Sequence, residues 1–509
     1  MNEKKKTFIN LIAAAIAFAS GVLINFFLAP YIVKHIGVAA YGFILMANDF
    51  VSYLAIVTLA INSMASRFIT IAMHQGKAQE AEEYYSSTIG ANICLAVGLL
   101  AIASPIVFQL EKFINIPLNL IGDVKGLFSL YVINFLITII FSAYATGYII
   151  KNKLFLSSIV QMKGNMVRML LLISLFYVLP PHVSYMGIGA LAATFLTKIY
   201  DIFYQRRLVP ELSFRWISFK WNRCREMLAS GIWNVITRIG NLLSVNLDLL
   251  LVNVLLTPAD MGILAITKIA PNFLTTITGI MAGVYMPDFL RLYATQKYDE
   301  LVLCIKESMK IFSIILGIPL VILLSLGNSF FQLWLPGQDS HQLYILSVFM
   351  LFNIIVIGPV ALMHNIFTVV NRVKTNSILI VFSGLLAVLG GWGILRYTEA
   401  GLYGIAIWMT STNLFRNLLY TVPYGAKYLY QSIWTFFPIL IKFCICVSLV
   451  SSLLYQIFGL LNINTWFMFA ICSVIASMVF FIIQIVIVLN KQERKKLLKI
   501  LQSKVGNYL

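Results

Sequence analysis

The amino-acid sequence predicts an all-α polytopic membrane protein of about fourteen transmembrane helices. It forms two six-helix lobes related by a pseudo-two-fold axis along the membrane normal, with two helices added at the carboxyl end. Three observations carry this reading. The 509 residues are 60% hydrophobic and only 11% charged, with a mean hydropathy of +0.89; soluble domains carry about 25% charged residues. The apolar residues fall in runs of about 20, the length a helix needs to cross a bilayer. The turn and charge pattern recurs when the chain is slid by about 220 residues. A soluble domain with one anchor cannot reach such a mean. A transmembrane β-barrel would alternate apolar and polar residues, which these runs do not.

Taken in order, apolar runs bounded by turn and charge signals give spans at 7–30, 42–66, 88–110, 127–150, 165–179, 185–204, 227–256, 262–290, 308–331, 343–370, 376–395, 401–423, 436–458 and 465–490. The first follows Lys4–Lys6 and contains Ala17-Phe18-Ala19, a signal-peptide-like cleavage pattern. Its apolar run continues to Pro30, too long for a signal peptide, so it counts as a span. With the amino terminus inside, the inner loops and tails hold about 27 Lys and Arg, and the outer loops hold Lys34, Lys112, Lys125 and Arg396. This positive-inside asymmetry fixes orientation and places both termini in the cytoplasm. It also accounts for most of the net charge of +18, so nucleic acid is not needed as a partner. The six cysteines show no CxxC and no zinc spacing, and read as buried free thiols.

In the repeat, Gly42 falls on Gly262, Lys77 on Lys297, Glu80 on Glu300 and Thr88 on Ser308; after a short slip, Gly189 falls on Gly404. The domains that follow are an amino-terminal lobe at 1–204, a cytoplasmic amphipathic linker at 205–226, a carboxyl-terminal lobe at 227–430, and helices thirteen and fourteen with a basic tail at 431–509. The linker interleaves Arg206, Arg207, Arg215, Lys220, Arg223 and Arg225 with Phe214, Trp216, Phe219 and Trp221, which suits an anionic inner leaflet. Two parallel helical lobes are a transporter architecture, with a substrate site expected between them near the midplane.

Ionisable side chains at bilayer depth normally face a cavity or a partner. Span seven holds Asn234, Arg238, Asn241 and Asp248 within ~80° at 100° per residue. Arg238 lies ~16 Å in from Met227. This stripe lines a cavity or packs against another helix. Asp49, Asp248 and Lys268 share a depth of ~9–12 Å below the outer boundary. They are candidates for an outer gate or for ion coupling, or for a permanent pair of Asp248 with Lys268. Arg67, Arg168, Lys198, Arg416 and Lys442 lie towards the inner helix ends, where snorkelling competes with a cationic vestibule suited to phosphate. Polar neighbours raise Arg67 (Asn62, Ser63, Ser66) and Arg416 (Thr410 to Asn413) above the rest, and Asp288 could pair with any of these cations. The sequence has no GxxxxGK[ST], no HExxH and no metal-binding DxD, so no cofactor or metal is expected. Gly279 and Gly283 form a GxxxG, whose default meaning is close helix packing.

The outer turn LAPYIVKHIGVAAYGFI (Leu28 to Ile44), the segment NSMASRFITIAMHQGK (Asn62 to Lys77) and the start of span seven, with its asparagines and Asp248, resemble Wzx-type O-antigen and polysaccharide flippases. These belong to the multidrug/oligosaccharidyl-lipid/polysaccharide (MOP) exporter superfamily, and the resemblance covers essentially the whole chain by helix count and repeat. It implies a bacterial plasma-membrane protein that moves an undecaprenyl-diphosphate-linked oligosaccharide from the inner to the outer leaflet. It further implies alternating access, a cation-rich cavity and coupling to an H+ or Na+ gradient. Arg238, Asn234, Asn241, Arg67 and Arg416 are then the substrate-binding candidates. Two other functions compete. A cation-coupled multidrug antiporter of the same superfamily would favour acidic residues at depth, where Arg and Lys outnumber Asp and Glu. A polysaccharide polymerase or ligase would carry a large outer loop, whereas the longest here is about 16 residues.

Overall fold

A computed structural model describes residues 3–488; the basic tail, Lys491 to Lys504, lies outside the described residues. Every regular element described is helical, as expected of a chain whose backbone polar groups must be satisfied within each segment in lipid. The first eight helices are α1 (Glu3–His35), α2 (Val38–His74), α3 (Ala78–Phe108), α4 (Ile121–Ile140), α5 (Thr146–Ile150), α6 (Leu154–Val178), α7 (Tyr185–Leu208) and α8 (Trp221–Val245). There follow α9 (Asp248–Leu255), α10 (Pro258–Thr267), α11 (Ile269–Ala294), α12 (Tyr298–Trp334) and α13 (Ser340–Val369). The last five are α14 (Val373–Tyr397), α15 (Gly401–Arg416), α16 (Val422–Tyr428), α17 (Phe437–Gly459) and α18 (Trp466–Val488). Among the described residues, twelve helices are long and apolar enough to cross a membrane, and α8 with α9 makes a thirteenth candidate, bent by 42°. The segment expected as span twelve is an α-helix of 16 residues, a π-helical turn at Asn417–Thr421 and then α16.

The chain forms two compact units. The first runs up to Ile266 and includes Ile380–Val388; the second is Thr267–Leu379 and the described residues from Leu389 onward. In the first unit α2 is the central element, packing on α3, α4 and α8, while α1 and α6 pair along its flank. Asn165 of α6 donates to Ser20 Oγ of α1 at 2.7 Å, and Tyr31 of α1 donates to the Phe176 carbonyl at 3.0 Å. At the opposite end of α4 from α5, the Asp123 carboxylate accepts the backbone N–H groups of Val183 (2.5 Å) and Ser184 (2.9 Å), tying α4 to the start of α7. The 109–120 connection is held by Asn253 of α9, whose side chain exchanges bonds of 2.8–3.0 Å with the Asn115 main chain. Lys125 bridges Glu111 at 2.6 Å, and this bond holds the Glu111 carboxyl below the usual range.

Gly42 and Gly262, matched by the repeat, meet within this unit. A Cβ on Gly42 would lie 2.9 Å from the Gly262 Cα, and one on Gly262 would strike the Val38 carbonyl oxygen. The crossing of α2 and α10 therefore needs both glycines. Gly279 and Gly283 behave differently: an added Cβ at either meets nothing within 4 Å, so among the described residues the GxxxG of α11 makes no close helix approach. The core of the second unit gathers Phe312 and Leu320 of α12, Ile355 and Met363 of α13, Phe443 and Val447 of α17, and Phe480 of α18.

Candidate functional site: a polar seam along α2 and α8

The two helices run antiparallel. Backbone contact is closest at Gly231, where an added Cβ would sit 2.9 Å from the Ala60 Cα. Beyond that crossing, towards the carboxyl end of α8, the apolar packing gives way to polar ties. Three residues on from Gly231, Asn234 of α8 donates to Ser63 Oγ at 3.2 Å. Towards its carboxyl end, Asn246 donates through its side chain to the Asp49 carboxylate, and its own carbonyl accepts the Tyr53 hydroxyl at 2.7 Å. There the helix breaks. Asp248 accepts the Leu249 N–H at 2.8 Å, covering one of the donors that a fresh helix start leaves without a carbonyl partner. Asp49 and Asp248 are both buried.

The break changes the stripe expected on span seven. On one straight helix Asn234, Arg238, Asn241 and Asp248 would share a face. The 42° bend after Val245 puts Asp248 on a separate helix, while the other three stay on α8. The α8 helix also starts at Trp221, ahead of the expected 227. Arg238 stands between the Ser63 tie and the Asp49 tie; it is exposed and has no ion-pair partner among the described residues. Asn241 is half-buried. Lys268 is buried and falls in the second unit, whereas Asp49 and Asp248 share the first.

The polar residues ahead of Arg67 are engaged in packing. Asn62 and Asn92 of α3 bond each other in both directions (3.1 and 2.9 Å), and Asn62 also accepts from Ser142 at 2.9 Å. Ser66 reaches Thr146 at 3.4 Å. This knot fastens α2 to α3 and to the joint between α4 and α5, leaving Arg67 exposed beside it. Asn92 was not singled out from sequence; an asparagine within an apolar run is the signal that marks it. Of the other inner cations, Lys198 pairs with Asp201 at 3.0 Å, and Asp288 pairs with Arg291 at 3.1 Å.

The linker is partly spent on the protein itself. Arg223 reaches Glu83 (3.0 Å), Glu226 (3.2 Å) and Glu80 (3.3 Å) and stacks over the Tyr84 ring. Ser218 donates to Glu82 at 2.9 Å. Of the four aromatics expected to face lipid, Trp216 and Trp221 remain exposed, with Ile217 between them, whereas Phe214 and Phe219 pack against the core of the first unit. No cluster of metal ligands occurs among the described residues.

A family model described as polysaccharide biosynthesis protein matches residues 5–289. A relative from Bacillus subtilis (strain 168), described as the uncharacterized membrane protein EpsK, is 23% identical over 491 residues, covering 96% of this chain and 97% of that protein. Among solved structures, an inward-facing multidrug resistance MATE family transporter of the MOP superfamily is similar with a TM-score of 0.65 at 12% identity. That alignment covers 84% of this chain and 94% of the transporter. The lipid II flippase MurJ in an inward closed conformation is similar with a TM-score of 0.62 at 14% identity, covering 94% of this chain and 98% of MurJ. At these identities the structures establish a shared fold, while the family match extends over more than half of the residues. The chain therefore belongs to the polysaccharide biosynthesis protein family and is a Wzx-like, multi-pass membrane protein with the MOP-superfamily fold.

Proposed function

We propose that this protein is a flippase, with no enzymatic role, that carries an undecaprenyl-diphosphate-linked oligosaccharide repeat unit from the inner to the outer leaflet of a bacterial plasma membrane. Arg238, exposed on α8 without an ion-pair partner among the described residues, is the observation that supports this reading most. A cation held at depth without a carboxylate suits a cargo that brings its own negative charge. Asn234, Asn241 and Arg67 complete the cargo-facing set. Asp49, Asp248 and Lys268 serve as gate and ion-coupling groups, with H+ or Na+ as the counter-ion of alternating access. In this reading the chain crosses fourteen times, counting the interrupted segment 401–428 as a span. The domains are then those read from the sequence, with both termini cytoplasmic.

The test is reconstitution of the purified full-length protein into liposomes carrying a fluorescent polyprenyl-diphosphate oligosaccharide, followed by an assay of outward exposure of the glycan. Flipping above empty liposomes supports the proposal. Failure to flip, together with gradient-driven efflux of lipophilic cations, would instead assign the protein to multidrug antiport, the function named for its MATE-like neighbour.

A further inference from the structure

In the second unit, α15 reaches Arg416 and does not end there. The helix continues through the π-helical turn Asn417–Thr421 into α16, a further twelve residues to Tyr428. Pro423 lies at the start of α16. It lacks an N–H, and its ring crowds the carbonyl four residues back, which accounts for the widened turn just before it. Arg416 is therefore about 22 Å along the element from Gly401 and about 18 Å short of its other end. Snorkelling to an interface, the ordinary resolution for an arginine near a helix end, is not open to it at that position.

Arg416 makes no ion pair among the described residues. Its Nε and Nη1 are buried and have no hydrogen-bond partner. The elements that enclose it, α13 on one side and the 401–428 segment itself, contain no Asp or Glu. Around the same turn, the Thr421 hydroxyl is buried and unpaired; the Tyr420 hydroxyl and the Asn417 side-chain oxygen are buried beside Tyr428 and His364 without a hydrogen bond of good geometry. Asn417 and Thr421 are 0% and 1% exposed, so no solvent satisfies them. Tyr420 is held in place by stacking on Phe367 of α13, ring centroids 5.4 Å apart, and His364 of the same helix faces Asn417 and the Arg416 charge. A π-helical turn brings residues five apart into register, which sets Thr421 on the side of Arg416. One guanidinium and two hydroxyls, all able to donate, thus lie within six residues of one helical segment that carries no carboxylate.

We infer that the π-helical turn of the second unit, with Arg416 as its charge and Tyr420 and Thr421 as its hydroxyl donors, is a binding site for a phosphate-type oxyanion. A tetrahedral oxyanion can accept two parallel N–H bonds from a guanidinium and further bonds from neighbouring hydroxyls. A protonated oxygen of the same ion can donate to Asn417 Oδ1. The oxyanion is either free phosphate or pyrophosphate in solution or the phosphate of a lipid. This site deepens the flippase reading, resting on it only for the identity of the anion met in the cell; the binding itself does not require transport.

The experiment uses purified full-length protein. Binding of inorganic phosphate and of pyrophosphate is measured by equilibrium dialysis at constant ionic strength. Binding of phosphatidic acid is measured with the protein in phosphatidylcholine vesicles that contain it. Each is repeated with Arg416→Gln, Arg416→Lys, Tyr420→Phe combined with Thr421→Val, and Arg238→Gln. We expect Arg416→Gln to weaken binding about tenfold or more, with the hydroxyl pair and the lysine variant between it and wild type. Arg238→Gln removes the cargo contact proposed on α8, so it should take away only the part of the binding that survives Arg416→Gln. Saturation with free anions assigns the solution source, and saturation only with phosphatidic acid assigns the lipid source. Should Arg416→Gln fail to remain monodisperse, the hydroxyl variant decides, since it leaves the charge in place. The inference is overturned if none of the probes binds. It is equally overturned if binding is lost in Arg238→Gln and kept in Arg416→Gln, an outcome that leaves the flippase proposal standing. Binding intact with flipping absent has the opposite meaning.

Discussion

Replacing Arg238 with alanine should impair transport while leaving the fold intact. Arg238 is exposed on α8 and makes no ion pair among the described residues, so its removal leaves no partner stranded. For such a position the change in stability is expected to stay within about 0.5 kcal/mol. A charge-assisted hydrogen bond to a phosphate is worth about 1.5–3 kcal/mol. Lost in the transition state for translocation, that amounts to about a 10- to 150-fold slower rate. Arg238→Lys keeps the charge and loses the two-pronged geometry, so it should fall between the two. The assay is outward exposure of a fluorescent polyprenyl-diphosphate oligosaccharide in proteoliposomes, normalised to incorporated protein, with thermal unfolding of each variant measured in parallel. A wild-type rate for Arg238→Ala at equal protein would refute the assignment of cargo contact to this arginine. A lost rate accompanied by a lowered unfolding midpoint would show instead that Arg238 acts through the fold.

Three further outcomes are expected. Gly262→Val drives a side chain into the Val38 carbonyl and should cost about 1–3 kcal/mol, whereas Gly279→Ala meets nothing and should leave the midpoint unchanged or raise it; thermal unfolding in detergent separates the two. Asn246→Ala removes a donor from the buried Asp49 and should destabilise by about 1–3 kcal/mol, read as a lower midpoint; an unshifted midpoint would mean that the tie at the break contributes nothing. Arg223→Gln releases Glu80, Glu83 and Glu226 at a partly exposed site, so the stability cost should be about 1 kcal/mol or less. Its clearer sign should be faster tryptic cleavage at Arg215 or Lys220 in inside-out vesicles, and an unchanged cleavage rate would place the docking of the linker elsewhere.

The sequence was informative wherever one helix settles its own problem. Lipid forces each segment to satisfy its backbone internally, so apolar length alone locates the helices. The lysine and arginine count of the loops predicts an orientation for them without any tertiary information. The local patterns at Leu28 to Ile44 and Asn62 to Lys77 pointed to the family that the comparison then matched over residues 5–289. The repeat had even matched Gly42 with Gly262, although nothing in the pattern indicated that the two glycines touch.

The tertiary structure decided what depends on residues far apart in the chain. The stripe on span seven assumed a straight helix. The break at Asn246 is set by Asp49 and Tyr53, nearly two hundred positions earlier, and it separates Asp248 from Arg238. The same holds for the cations. In the sequence Lys198 stands with Arg416 among the cations towards the inner helix ends and Arg223 stands in the linker; the structure neutralises Lys198 and Arg223 with carboxylates, whereas Arg238 and Arg416 make no ion pair among the described residues. A basic residue type and its depth can be read from one segment, but whether its charge is already compensated depends on the neighbours that packing brings to it.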